Sequence, residues 1–272
     1  MKKKVSEKME NITFPGLNIS FEINKVAFKI GETPIYWYGI IITIAFIIAL
    51  VLIQKDKNKY GVRAENLIEL TILIIPISII SARIYYVLFS LENYKDNILE
   101  IFNFRNGGLA IYGGIIGAVI TIALYCKVKK IHILDVLERF APYLPLGQAI
   151  GRWGNFFNSE AHGTSTNNIF RMGITENGQY MEVHPTFLYE SVCNFIIFII
   201  LYSLSKNRKF KGQITYLYII LYSIARAIIE GLRTDSLMLG TLRISQILSI
   251  LLLIVFGTIY IYNYKKFKQK NK

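Results

Sequence analysis

The chain reads as an all-α integral membrane protein. It has seven transmembrane helices and a small extracytoplasmic head, with the N-terminus outside and the C-terminus cytoplasmic. Three observations lead there. Of the 272 residues 53% are apolar, with mean hydropathy +0.40. The apolar residues are gathered in long blocks, and basic residues fill every second connection between blocks. A hydrocarbon layer of about 30 Å needs about 20 apolar residues of helix to cross it. Several blocks reach that length with few or no charges, which a soluble core helix would not do. The formal net charge of +13 would otherwise suggest nucleic acid. Its placement in short loops makes it an orientation signal, and no nucleic-acid partner is expected.

The spans fall at about 35–53, 66–90, 108–126, 134–153, 186–204, 213–232 and 241–262, within a single domain covering 1–272. The fourth is interrupted by Asp135, Glu138, Arg139, Pro142, Pro145 and Gln148, which membrane helices tolerate when neighbours satisfy the freed backbone. Lys55, Lys57, Lys59 and Arg63 follow the first span, and Lys127, Lys129 and Lys130 the third. Lys206, Arg208, Lys209 and Lys211 follow the fifth, and Lys265, Lys266, Lys268, Lys270 and Lys272 close the chain. These loops are assigned to the inside. Lys2, Lys3 and Lys4 then lie outside, far from the first span, where the rule is weakest. The opening stretch is polar and mixed and lacks an apolar core with a cleavage site, so no removable signal peptide is expected. The connection at about 154–185 is the longest and forms the head; a loop of that length is commonly functional.

Cys126 and Cys193 lie at or inside apolar blocks without CxxC or metal-ligand spacing, and are read as small core residues. The informative residues are charges inside spans. A central Arg costs about 2.5–3.5 kcal/mol on insertion scales, so each is a functional candidate. Arg83, Arg152 and Arg226 all fall in the outer half of the bilayer. Three guanidinium groups at one depth repel unless an anion joins them, and the Arg fork suits phosphate. A phospholipid headgroup is the natural guest. Tyr222, Arg226 and Glu230 are spaced i, i+4, i+8 and form one stripe, so Arg226 has a local carboxylate as an alternative partner.

Two segments carry further polar groups. GGLAIYGG, Gly107 to Gly114, opens the third span, with Gly113 and Gly117 at the small-xxx-small spacing of close helix packing and Tyr112 between glycines. GRWGNFFNSEAHG, Gly151 to Gly163, gathers Arg152, Asn155, Asn158, Glu160 and His162 at the outer end of the fourth span. An arginine, amides and a carboxylate at a membrane boundary can bind a phosphate and glycerol hydroxyls together. HPTFLYE places His184 and Pro185 before the fifth span and Glu190 one or two turns within it; Arg233, Thr234 and Asp235 close the sixth.

At these residues the chain resembles the prolipoprotein diacylglyceryl transferases of bacteria. The thirteen-residue run matches the family's signature GRxGNFxNxExxG, and the likeness extends to WYG at Trp37–Gly39, GGLAIYGG, HPTFLYE and the Tyr222–Arg226–Glu230 stripe. The resemblance implies seven membrane helices with an extracytoplasmic head in the bacterial cytoplasmic membrane. It also implies phosphatidylglycerol as membrane-lipid substrate, and transfer of its diacylglyceryl group to the lipobox cysteine of prolipoproteins, without metal or nucleotide cofactor. Residues matching the family's functional positions are Tyr38, Arg152, Asn155, Glu160, Gly163, Tyr222, Arg226 and Glu230. Many relatives carry His, assigned as the base, where this chain has Tyr112.

The chemistry asks for a thiolate. A free thiol titrates near about 8.5, and apolar surroundings raise that value, so positive charge or a base must assist. Arg152 and Arg226 suit the charge developing on the departing phosphate, Asn155 suits headgroup orientation, and Asn158, His184 and Arg83 complete the expected substrate contacts. Tyr112, Glu160 and His184 stand as candidate proton acceptors. A transporter or channel for an anionic solute is the alternative reading. Such proteins usually carry paired repeats and broken helices, which are not evident here.

Overall fold

A computed structural model describes residues 9–56, 59–95, 97–103, 107–176 and 178–271. Lys2, Lys3, Lys4, Lys57 and Lys272 of the charge pattern lie outside the described residues. The described chain holds α1 (Trp37–Lys55), α2 (Ala64–Leu88), α3 (Ile111–Lys129), α4 (Ile133–Phe140), α5 (Tyr143–Asn158), α6 (Thr186–Ser205), α7 (Gln213–Glu230) and α8 (Ile244–Lys270). Five of them, α1, α2, α3, α6 and α8, are long and apolar enough to cross a membrane. The stretch expected as a fourth continuous span is instead two helices broken at Ala141 and Pro142. The ring of Pro142 disfavours helical geometry at Ala141, and Pro142 then serves as the N-cap of α5. The last turn of α4 buries Glu138 and Arg139 completely or nearly so. Arg139 donates to the carbonyls of Ile53 (3.1 Å) and Asp56, so its charge fastens the chain rather than interrupting a span. α7 is too polar to rank with the five, because it carries Arg226 and Glu230.

The residues separate into two compact units, one of residues 53–139 and one formed by the chain up to 52 with 140 onward. The second of these is not purely helical. β1 (Glu10–Phe14), β2 (Ile19–Ile23), β5 (Met172–Glu176) and β6 (Gln179–Val183) form an antiparallel sheet in the order β2-β1-β5-β6. β3 (Val26–Ile30) with β4 (Thr33–Tyr36), and β7 (Met238–Leu239) with β8 (Leu242–Arg243), are separate hairpins. The cause lies in alternation: Ile12 and Phe14 on β1, Met172 and Ile174 on β5 and Val183 on β6 turn inward onto Phe156 of α5 and Phe187 of α6. Period-two burial of this kind is what a half-covered sheet requires. The four-stranded sheet thus joins residues 10–23 to residues 172–183 of the stretch expected to form a head, and it packs on Phe156 near the end of α5 and Phe187 at the start of α6.

Glycines set how closely helices approach. A Cβ on Gly151 would come within 3.1 Å of Ile42, and one on Gly154 within 2.7 Å of the Tyr38 ring. The i, i+3 glycines of GRWGN therefore admit α1 against α5, with Trp37 stacked on Phe157 at 5.2 Å.

In the unit of residues 53–139, a Cβ on Gly113 would lie 2.5 Å from the Ser81 carbonyl oxygen and 2.9 Å from Ala82 Cα, and one on Gly117 2.5 Å from Ser81 Oγ. The small-xxx-small pair is the contact between α3 and α2. Arg83 of α2 is buried here. It donates from Nε to Ile101 O (2.8 Å), from Nη1 to Gly107 O (2.8 Å) and Gly108 O (3.0 Å), and from Nη2 to Glu100 O (2.7 Å). Gly107 and Gly108 have φ of 81° and 78°, the left-handed region open to glycine. Four of the five guanidinium donors thus go to backbone carbonyls. Through these bonds Arg83 ties down the segment leading into α3.

Gly113→Ala should lower the thermal midpoint of the detergent-solubilised protein, at an overpacking cost of about 1–3 kcal/mol. Gly114→Ala, whose Cβ would meet nothing nearer than 3.6 Å, should leave the midpoint unchanged or raise it. Equal midpoints for the two variants would contradict this account of the α2–α3 contact.

Candidate active site

Three guanidinium groups meet on one buried carboxylate. α5 contributes Arg152, α6 contributes Glu190 as its fifth residue, α7 contributes Arg226, and Arg233 follows the end of α7. Glu190 is 3% exposed. Its Oε2 lies 2.5 Å from Arg152 Nη2, and its Oε1 accepts from Arg226 Nη1 at 3.1 Å and from Arg233 Nη1 at 2.9 Å. Arg226 Nη2 is also 2.6 Å from Glu230, one turn on. Arg233 makes a two-pronged bond to Asp235, Nε to Oδ1 at 2.9 Å and Nη2 to Oδ2 at 2.7 Å. Burial opposes the charge on Arg233, yet the Asp235 bonds and the nearby Glu190 outweigh it and raise the guanidinium above its ordinary value. Burial likewise opposes the charge on Asp235, and the same Arg233 contact holds its carboxyl below the usual carboxylate range.

Of the three arginines expected at one depth, Arg152 and Arg226 come together at Glu190, whereas Arg83 belongs to the unit of residues 53–139. What joins them is Glu190, which the sequence marks only as a carboxylate one or two turns within its span. The rule that marks an arginine inside an apolar helix marks Glu190 equally, since it lies in the second turn of α6. Arg233 was visible only as a polar group closing α7.

The Asn residues of the signature extend the network outward. Arg152 Nη1 donates to Asn155 Oδ1 at 3.4 Å, and Asn155 Nδ2 donates to Glu160 Oε1 at 2.9 Å. Asn158 Nδ2 reaches the same oxygen at 3.1 Å. The helix ends at Ser159 in the left-handed conformation (φ 52°), and the chain folds back so that the Glu160 amide donates to Asn155 O at 3.1 Å. This reversal places the carboxylate beside the two amides. Glu160 also lines two surface cavities. One, of about 870 Å³, is bounded by Lys25, Tyr38, Asn158 and the apolar Ile35, Ile40 and Ile44. The other, of about 940 Å³, is bounded by His162, Thr164, Glu176, Thr234 and Asp235.

Gly163 is the crossing point of three backbones. Its amide donates to His184 O at 2.8 Å, the Thr164 amide donates to Leu232 O at 2.8 Å, and it bridges to Arg233. A Cβ would lie 2.7 Å from His184 Cβ and 2.9 Å from Leu232 O, so no other residue fits without displacing the chain that carries Arg233. Thr186 at the start of α6 donates its hydroxyl to Ala161 O, and Thr234 donates to His162 O at 3.2 Å. His184 Nδ1 sits 3.2 Å from Tyr189 Oη, a contact within its own turn. Tyr222 faces the ring of Tyr218 at 5.9 Å. Tyr112, half-exposed on α3, belongs to the unit of residues 53–139.

A family model described as prolipoprotein diacylglyceryl transferase matches residues 25–262. Proteins named phosphatidylglycerol–prolipoprotein diacylglyceryl transferase are similar along nearly the whole chain. That of Clostridioides difficile is 46% identical over 92% of this chain and 98% of its own length. The Finegoldia magna protein is 48% identical, with 90% and 97% covered. For Bacillus cereus the identity is 43%, with 92% and 96% covered. A match of this extent, together with the arginine cluster at GRWGN, places the chain in the prolipoprotein diacylglyceryl transferase family.

Proposed function

We propose that this protein is a membrane transferase that moves the diacylglyceryl group of phosphatidylglycerol onto the lipobox cysteine of prolipoproteins at the bacterial cytoplasmic membrane. The names of the relatives support the two substrates. The observation that carries the reading is the meeting of Arg152 and Arg226, from different helices, on Glu190. Each has five N–H donors. The contacts described above engage two on each arginine, and both side chains keep some exposure, 24% and 18%. Donors thus remain on both for a phosphate. A carrier for an anionic solute is not favoured, since the relatives bear the name of a group-transfer enzyme.

In the proposed reaction the phosphate lies against Arg152 and Arg226. The cysteine sulfur attacks the glycerol carbon that bears the phosphate ester. A C–S bond forms, the C–O bond breaks with its electron pair going to phosphate oxygen, and glycerol phosphate leaves. Preorganised guanidinium donors stabilise that developing charge more effectively where water is scarce. The thiol proton passes to Glu160. Among Tyr112, Glu160 and His184, Glu160 has described contacts that link it to Arg152, through Asn155. Asn155 and Asn158 hold its carboxylate toward the cavities, and Gly163 fixes the turn that follows. Tyr38 covers Gly154 beside the larger apolar wall. Tyr222 and Glu230 set the face of α7 that presents Arg226.

The membrane arrangement is proposed on the same footing. Seven crossings result if α4 with α5 counts as one and α7 as another. The connections rich in lysine then lie in the cytoplasm, and the sheet with the 154–185 segment lies outside.

Arg152→Ala should abolish transfer of labelled diacylglycerol from phosphatidylglycerol vesicles to a lipobox peptide. The protein should stay folded, because Glu190 keeps Arg226 and Arg233; turnover within a few-fold of the parent would refute the role. Arg152→Lys should fail nearly as badly, since an ammonium cannot replace the planar fork. Glu160→Gln should lower kcat near neutral pH by about a hundredfold or more, the scale of lost general-base assistance. Recovery of that rate as pH rises and the thiol ionises unaided is the expected signature, and a uniform loss at every pH would argue against proton transfer to Glu160.

A further inference from the structure

Counting charges around Glu190 gives three guanidiniums, Arg152, Arg226 and Arg233, against three carboxylates, Glu190, Glu230 and Asp235. The cluster is formally neutral. That is unexpected for a place meant to grip an anion, and the substrate and product explain it. The argument rests on the phosphate site proposed above. A phosphodiester carries one negative charge. The phosphomonoester released from it carries about −1.5 to −2 near pH 7, because its second pKa is near 6. Any surplus positive charge in the cradle would therefore hold the departing product more firmly than the arriving lipid.

We propose that Glu190 is a charge-balancing residue that keeps glycerol phosphate from being trapped between Arg152 and Arg226. Two features single out this carboxylate. Arg226 and Arg233 each have a nearby acidic partner of their own, Glu230 at 2.6 Å and Asp235 at 2.7 Å. Glu190 is the additional charge, and it alone touches all three arginines. It is also nearly fully buried, where its field is screened least. At about 5 Å and an effective dielectric near 20, one uncompensated charge changes the binding of a further charge by on the order of a few hundredfold. Neutrality thus leaves lipid binding to hydrogen-bond geometry and acyl-chain burial, neither of which the product retains in full.

The test uses the full-length protein in phosphatidylglycerol-containing nanodiscs. Glu190→Gln keeps shape and removes one negative charge. Glycerol phosphate should then inhibit transfer at a concentration at least tenfold lower than for the parent. KM for phosphatidylglycerol should fall less than that, and kcat should fall with a burst in the first turnover as release becomes limiting. A purely structural role would raise KM or lower the folded yield without sharpening product inhibition. Asp235→Asn supplies an independent reading should the Gln variant fold poorly. Its side chain is half exposed and lies beyond α7, and it removes one charge without touching Arg152 or Arg226. Sharper product inhibition is expected there too, to a smaller degree. Unchanged or weaker glycerol phosphate inhibition in every variant that folds overturns the proposal. Failure of the underlying phosphate site has a different signature: glycerol phosphate inhibits the parent no better than glycerol does, and this inference then falls with it.

Discussion

The carboxylate of Glu190 is the interaction on which the site depends. Its negative charge offsets the mutual repulsion of three guanidinium groups gathered in a poorly hydrated place. Burying an ion pair is not a general route to stability, since desolvation offsets most of the attraction. Its merit here is geometric. Both oxygens of one rigidly held side chain are used, so donors from α5, α7 and the segment after α7 acquire a common reference point. The rest of the unit serves that point: Gly163 lets the Arg233 segment pass close by, and Thr186 pins the turn after α5 to the first residue of α6.

The same arrangement links depth to surface. From Glu230 through Arg226, Glu190, Arg152 and Asn155 to Glu160, every neighbour is in ion-pair or hydrogen-bond contact. A change of charge at one end therefore acts on each neighbour in turn through direct contact, which suits the proposed combination of phosphate binding and proton transfer. Local backbone chemistry sets the outer end, because the left-handed turn at Ser159 and the hydrogen bond from the Glu160 amide return the chain toward its own helix.

Much of this was legible in the residues. Apolar block length located α1, α2, α3, α6, α7 and α8 to within a few residues at their starts, because hydrophobic thickness fixes helix length. α8 runs eight residues beyond its expected end at 262, to Lys270, since a lysine-rich helix can continue past the apolar layer. Arg152 and Arg226 stood out as costly charges. Other features were hidden for physical reasons. Pro142 marks the break at Ala141 and Pro142, but membrane helices tolerate proline when neighbours satisfy the freed backbone, so the residues alone do not decide between a continuous span and two helices. The sheet was missed because β1 and β2 are short and half-polar, and their pattern makes sense only against β5 and Phe156, far along the chain. Glu190 is visible in the sequence as a carboxylate within a span, but its role is not, because only the folded chain shows which arginines it meets.

The pairing of Thr13 with Gly173 has a consequence for biogenesis. The first hairpin leaves the ribosome long before its partner strand exists, and at 5–20 residues per second the wait is on the order of ten to thirty seconds. Until α5 and the segment after it have been synthesised, Ile12 and Phe14 lack the Phe156, Met172 and Ile174 side chains that pack with them. The nascent chain therefore carries an uncovered apolar strand while the later helices are made, and closure of the sheet becomes a late checkpoint.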